Sequence, residues 1–401
     1  MSSNRKNPIC LFLAIVSILS FFYVYTSFNL SFQPSTRRES DVNDDPLPSK
    51  VHLGIGFDLT PSYGTVAISL PNGSTCSIAK VSGSTAYHDT LARLALPSSQ
   101  HLAPPYSSMQ DQLSDLPRQQ LRRARKSAGL SASDDVGALA EMITALRAEA
   151  EKYLNASITS AVATTPHLVA LYDEDIADAF EHAALSSPEV WLFKHLVYST
   201  SAAYAGNGLG LCENYATDPK GCYEEWNSRP SEVVMTVLYT QTALSVTLSS
   251  VKSAYYLWEP TYRYIIDFDL GSAATPDAET DREGWEEYWR KVQGKLVSIM
   301  EQFPRYAKPA RVLLMGESAA DDTFRRFLDS ALKGVMEKSP RWEVGDEMFV
   351  GAKGAAEFAK RAPFEGPWHA GWNGSVAEEW ARRFEAEDVG LRGPGMSGEL
   401  K

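Results

Sequence analysis

Cysteine, histidine and positive charge are all scarce in this chain of 401 residues, and each scarcity removes a class of function. The four cysteines form no CxxC pair, and the seven histidines show no metal-ligand spacing, which sets aside zinc modules and dithiol redox chemistry. No Ser-His-Asp arrangement is visible. Lys and Arg number 38 against 50 Asp and Glu, a formal net charge of −12, whereas a nucleic-acid backbone demands a basic face. The one basic cluster, Arg118, Arg122, Arg123, Arg125 and Lys126, reads as the solvated face of a helix. With 44% hydrophobic and 22% charged residues, the remainder suits one large or two medium globular domains.

Charge is also missing from one early stretch. Ile9 to Tyr25 is a run of 17 uncharged residues, preceded by Arg5 and Lys6 and followed by no charge until Arg37. That is the short end of a membrane span. A cleaved signal peptide suits this length too, but no small-x-small cleavage site precedes the polar segment. The positive-inside rule then places residues 1–8 in the cytosol and the body in the lumen of the secretory pathway, endoplasmic reticulum or Golgi. N-x-S sequons at Asn29, Asn72, Asn155 and Asn373 use four of the ten asparagines, where chance gives about one or two, and glycans are added only on the luminal side. Cys212 and Cys222 bracket a polar loop, where an oxidising compartment favours a local disulfide.

Periodicity organises the rest of the chain. Residues 26–50 are polar and unpatterned, a stem. The body starts near Val51 with strand, turn and strand over residues 51–70, and another strand over 76–81. Residues 96–114 lack pattern. From Asp134, apolar residues at 136, 139, 143, 146, 150 and 154 recur at helical spacing. Strands are expected over 160–165, 190–197, 232–251 (a pair), 262–268 and 311–315. Helices are expected over 173–185, 200–205, 283–302, 324–335 and 352–360. Strands alternating with helices mean α/β, in two similar lobes, 51–210 and 211–362. Residues 363–401 form a tail, whose Ser375 and Glu378 make a capping box opening a last short helix.

The first hairpin carries the most chemistry. An apolar strand runs into Asp58, then Thr60, Pro61 and Ser62 turn the chain, and a second strand begins at Thr65. A tight turn whose N–H groups face an anion is a phosphate cradle, yet glycine is missing from this one.

Six segments, taken in chain order, resemble the actin-like ATPase superfamily, and within it the nucleotide-binding domain of heat-shock chaperones. "GFDLTPSYGTVAI" (56–68) is similar to the first phosphate loop, G-I-D-L-G-T-T-x-S-x-V-A-V. "AEAEKYLNASITSAVATTPHLVA" (148–170) resembles a helix-turn-strand segment, and "HLVYSTSAAYAGNGL" (195–209) the connecting helix. "VLYTQTALSVTL" (237–248) falls at the second phosphate hairpin. "VLLMGESAADDTFRRFL" (312–328) is similar to the adenosine segment, and "AKGAAEFA" (352–359) to the closing helix. The resemblance covers residues 51–360 and includes no peptide-binding domain. It implies a two-lobed, ribonuclease H-like body that holds ATP or ADP with magnesium in a central cleft, using Asp58, Thr60, Ser62, Tyr63, Gly316, Glu317 and Ser318.

The departures bear directly on activity. Thr60 and Pro61 stand where the family has glycine and threonine, and proline has no N–H to donate. The second hairpin has Leu238 or Tyr239 in place of an aspartate, and Thr240, Gln241 and Thr242 in place of glycines. The connecting helix has Ser199 near its glutamate, and Glu317 replaces a glycine beside the nucleotide. Phosphoryl transfer needs charge neutralisation and water positioning, each worth several kcal/mol of barrier. Both are depleted, so weak nucleotide binding without efficient hydrolysis is expected, in a binding or scaffold module with a protein partner. One alternative is a divergent ATPase. Another is a type II Golgi glycosyltransferase, in which Asp267 and Asp269, leaving an apolar strand, hold a metal against a sugar nucleotide.

Overall fold

Every residue of β1 (Gly54–Leu59) and β2 (Tyr63–Ser69) is buried, the pattern of strands covered on both faces rather than of a half-exposed hairpin. They anchor the first of two sheets in this computed structural model, which describes residues 53–190, 194–258, 263–301 and 308–365. β3 (Thr75–Ser82) pairs antiparallel with β2, while β4 (Val162–Thr165) and β5 (Val197–Tyr198) continue the sheet in parallel, giving the order β3-β2-β1-β4-β5.

The second sheet repeats that plan. β6 (Glu232–Tyr239) and β7 (Leu244–Ser253) form an antiparallel hairpin, extended by β8 (Tyr256–Trp258) and β9 (Tyr264–Asp267), both on β7. β10 (Arg311–Met315) and β11 (Arg341–Glu343) add in parallel on the other side of β6. The order is β11-β10-β6-β7-β8. In both sheets, then, a hairpin supplies the first two strands, and the two parallel strands join beside its first strand.

Helices cover the sheets. The first lobe carries α1 (Thr85–Leu94), α2 (Met109–Ser127), α3 (Asp134–Leu154) and α4 (Asp173–His182). α3 starts where the Ser133 side chain accepts from the Val136 N–H at 3.1 Å, and it buries Val136, Leu139, Ile143 and Leu146. Those residues join Phe57, Leu59 and Val66 in one core. α5 (Ser199–Gly206) and α6 (Pro219–Ser228) follow, then α7 (Arg282–Glu301) and α8 (Asp322–Val335), whose Trp289, Val292, Leu296, Phe324 and Leu328 close a core on the second sheet.

The last described helix, α9 (Val350–Glu365), returns to pack along β1 and β2 of the first sheet. Its small face permits this. A Cβ at Gly56 would lie 2.1 Å from the Ala356 backbone nitrogen, so helix and strand touch backbone to backbone. α9 also reaches the second sheet, because its Val350, Ala355 and Phe358 share a core with Val234, Leu238, Leu313 and Met315.

Several expectations need correction. Where a strand is expected over 190–197, there is an isolated bridge between Val190 and Lys194 and the strand β5 starting at Val197, while residues 191–193 lie outside the described residues. The unpatterned stretch 96–114 runs into α2, which begins at Met109, and the polar loop between the cysteines ends inside α6. The basic cluster is not simply solvated: Arg122 is buried and paired with Asp175 and Asp178, each at 2.7 Å. Among the described residues no helix is long and apolar enough to cross a membrane. The apolar run at 9–25, the stem and the tail helix lie outside the described residues.

Candidate functional site

The two hairpin turns are built alike. In the first, the Thr60 side chain donates to the Tyr63 carbonyl at 2.7 Å and accepts from the Tyr63 N–H at 3.1 Å. In the second, Thr240 makes the same pair of bonds with Ala243, at 3.1 Å each. Threonine thus does here what a glycine-rich turn leaves undone: its hydroxyl folds back onto its own backbone. Matching the turns puts Leu238 opposite Asp58 in the repeat, which settles Leu238 over Tyr239 as the counterpart.

The turns also touch. Ser62 and Thr242 share a hydroxyl–hydroxyl bond of 2.8 Å, and the Thr242 N–H donates to Ser62 Oγ at 3.0 Å. Glu317 adds a second link. It accepts from the Gln241 N–H at 3.2 Å and forms an ion pair with Lys80 on β3. The Lys80 ammonium sits 4.5 Å from the Tyr63 ring centre. Gly316, beside it, has φ +101°, and a Cβ there would lie 2.2 Å from the Tyr239 carbonyl oxygen. The position requires glycine for backbone reasons alone. Ser318 completes the set through a 2.7 Å bond to Ser272.

A phosphate cradle depends on free N–H groups, so their destinations decide what the turns can hold. Along the second turn all are taken: Thr240 N–H by the Ala243 carbonyl, Gln241 by Glu317, Thr242 by Ser62 and Ala243 by Thr240. In the first turn Thr60 and Tyr63 bond each other, and Pro61 has no N–H to give. Apart from the Ser62 N–H, the turn donors that would meet an anion are spent within the protein.

Asp58 is sealed behind the first turn at 1% exposure. It pairs in register with Thr65 and Thr164, and its Oδ1 has no hydrogen-bond partner. Its other oxygen faces the first turn of α9, where a Cβ on Gly351 would come within 2.4 Å. Burial pushes its pKa up to about 7, the direction for a carboxylate with no cation beside it. Among the described residues no group of three His, Cys, Asp or Glu could hold a metal ion. Leu238 stands where a second carboxylate would be needed. A magnesium–nucleotide complex does not fit these residues, and no catalytic step is drawn through one.

A hollow between the lobes, lined by Pro166, His167, Tyr198, Ser199, Thr236 and Leu238, has room for about one water. The Ser199 and Thr236 hydroxyls lining it are buried and lack protein partners, which suits such a water. No family model matches the chain, and no curated protein does. Among solved structures it is similar to the ethanolamine utilization protein EutJ from Carboxydothermus hydrogenoformans, at 12% identity and a TM-score of 0.43, over 78% of this chain and 92% of that one. A likeness so distant carries no inference about fold or activity.

The other candidate residues are dispersed. Cys212 and Cys222 form a disulfide with Cα atoms 5.5 Å apart. Asn72 is exposed in the β2–β3 turn and Asn155 is exposed at the end of α3; Asn29 and Asn373 lie outside the described residues. Asp267 caps the turn after β9, accepting from the Asp269 N–H at 3.0 Å, and it pairs with Lys295 at 2.9 Å. Sequence reasoning missed Lys80 altogether, and no local signal marks it.

Proposed function

We propose that the body is a non-hydrolysing member of the actin-like fold, a binding or scaffold module whose two lobes are fastened together where relatives of that fold hold nucleotide. The doubled strand order and the matched hairpins support the fold. The observation that carries the function is the Ser62–Thr242 contact, which joins the two turns directly. Adenine nucleotide is bound weakly at most, with little dependence on magnesium. The module sits on the luminal side of a secretory-pathway membrane, anchored through residues 9–25, and meets a protein partner there. The disulfide and two exposed sequons are consistent with that side of the membrane.

Between the alternatives, two sheets rather than one, together with Asp267 committed to Lys295 and its own turn, weigh against the glycosyltransferase. The divergent ATPase would need a carboxylate to replace Leu238. The test is thermal unfolding of the purified protein with ATP or ADP, with and without magnesium. No magnesium-dependent rise in Tm is expected. A rise that requires both nucleotide and magnesium would promote the ATPase, and one that requires manganese and a uridine or guanosine diphosphate sugar would promote the glycosyltransferase.

A further inference from the structure

α2 is amphipathic the wrong way round. Asp115 and Arg122 are its buried residues, and Asp115, Arg118, Gln119, Arg122 and Lys126 face α4, bonded to Glu174, Asp175, Asp178 and Glu181 or to each other. The opposite side carries Met109 at 77% exposure, Leu113 at 58%, Leu116 at 38% and Leu121 at 61%. Gln110, Pro117, Gln120 and Ala124 lie between them on the same exposed side, with Ser114 at its edge, and Leu102 and Leu130 are exposed just before and after the helix. Of all the exposed positions on α2, Arg123 is the one that bears a charge. In a chain that is 22% charged, such a face is a surface for something apolar.

We infer that the exposed face of α2 lies in the headgroup–acyl boundary of the bilayer that holds residues 9–25. The inference rests on the anchoring proposed above. Residues 26–52 join that run to the start of the described body and can span at most about 90 Å, so the body is held within about two of its own diameters of the lipid. A helix whose exposed face carries Leu and Met among uncharged Gln and Ser, with its charges on the opposite face, is the kind that lies in the interface plane. Here the polar face is occupied by the protein's own acids, so the helix is already folded and oriented before it meets lipid.

A second copy of the chain fits less well. α2 is about 28 Å long, and a stripe about 10 Å wide buries about 300 Å² per copy, against about 800 Å² per partner in a stable interface. With one exposed charge on α2 and an acidic protein behind it, the lipid expected is zwitterionic, and salt should matter little.

The test uses the full chain with Cys10→Ser and Cys76→Ser, the disulfide kept, and one new cysteine carrying an environment-sensitive dye. Leu113→Cys and Leu121→Cys report on the α2 face, and Ser339→Cys, exposed on the other lobe, is the control. Each chain is reconstituted into phosphatidylcholine vesicles containing a lipid with a spin label on its acyl chain. The dyes at 113 and 121 should lose most of their fluorescence to the lipid quencher, and the dye at 339 almost none. Adding Leu121→Glu to the Leu113→Cys chain should restore most of the signal, which separates helix insertion from insertion of the dye. A chain that floats with the vesicles while its dyes at 113 and 121 stay bright refutes the α2 surface but leaves the anchor standing. A chain that does not float refutes both. Cross-linking of Leu121→Cys chains to one another without lipid quenching would assign the face to a second copy instead.

Discussion

Replacing Asp58 by asparagine should stabilise this protein, by an amount that depends on pH. The carboxyl is fully buried, its Oδ1 has no partner, and its pKa rises from 3.8 to about 7 through burial. In the unfolded chain an aspartate has lost its proton above about pH 4, while folded Asp58 keeps its proton until about pH 7. Between those values the native state binds the extra proton, so stability falls as pH rises through the window and levels off above it. A shift of about 3 units at about 1.4 kcal/mol each is about 4 kcal/mol. The first turn of α9, facing the carboxylate, returns up to about 2 kcal/mol through its dipole. The net penalty removed by Asp58→Asn is therefore about 2 to 4 kcal/mol at pH 8, and close to zero at pH 4. Urea unfolding of both proteins at pH 4, 6 and 8, followed by tryptophan fluorescence, measures it. A difference that does not change with pH, or an asparagine variant less stable at pH 8, would show that Asp58 is held as a charged group by some cation, and the reasoning would fail.

The contact between the turns is open to a double-mutant cycle: Ser62→Ala and Thr242→Ala should each destabilise by about 1 kcal/mol, with a coupling of about 0.5 to 1.5 kcal/mol, and additive effects would mean the hydroxyls do not cooperate. Opening the disulfide by Cys212→Ser with Cys222→Ser releases a loop of sequence separation 10 and should cost about 3 kcal/mol in thermal or chemical unfolding; peptide mapping without reduction should find the two cysteines joined. Asn72→Gln and Asn155→Gln should each remove one endoglycosidase-sensitive step in apparent mass, and an unglycosylated wild-type chain would place the body outside the lumen.

The repeat was legible because its signals are local. The buried strand before Asp58, the apolar positions of α3 and the run Arg311–Met315 each declare themselves within about ten residues. An apolar run hid the difference between strand and loop over 190–197, where the two-residue strand β5 needs its neighbour β4 to exist. α2 was obscured for another reason. Its charged side chains look like a solvated face in sequence, and their acidic partners on α4 lie some fifty residues away. The site divides the same way. The missing glycines and the missing second carboxylate could be read from the turns, but not what the replacement residues do. Ser62 meets Thr242 across a separation of 180, and Glu317 meets Lys80 across 237. No pattern within either hairpin carries those contacts.

The central claim is that the turns hold each other in place of phosphate, and nucleotide turnover by the purified full-length protein addresses it most directly. With ATP and magnesium, hydrolysis should be no faster than in the Asp58→Ala variant, and titration calorimetry should find adenine nucleotide bound at micromolar affinity or weaker, about 8 kcal/mol or less. Glu317→Gly, which frees the Gln241 N–H, should tighten binding without producing turnover, because Leu238 still occupies the place of the second carboxylate. Magnesium-dependent hydrolysis that is lost in Asp58→Ala would contradict the account.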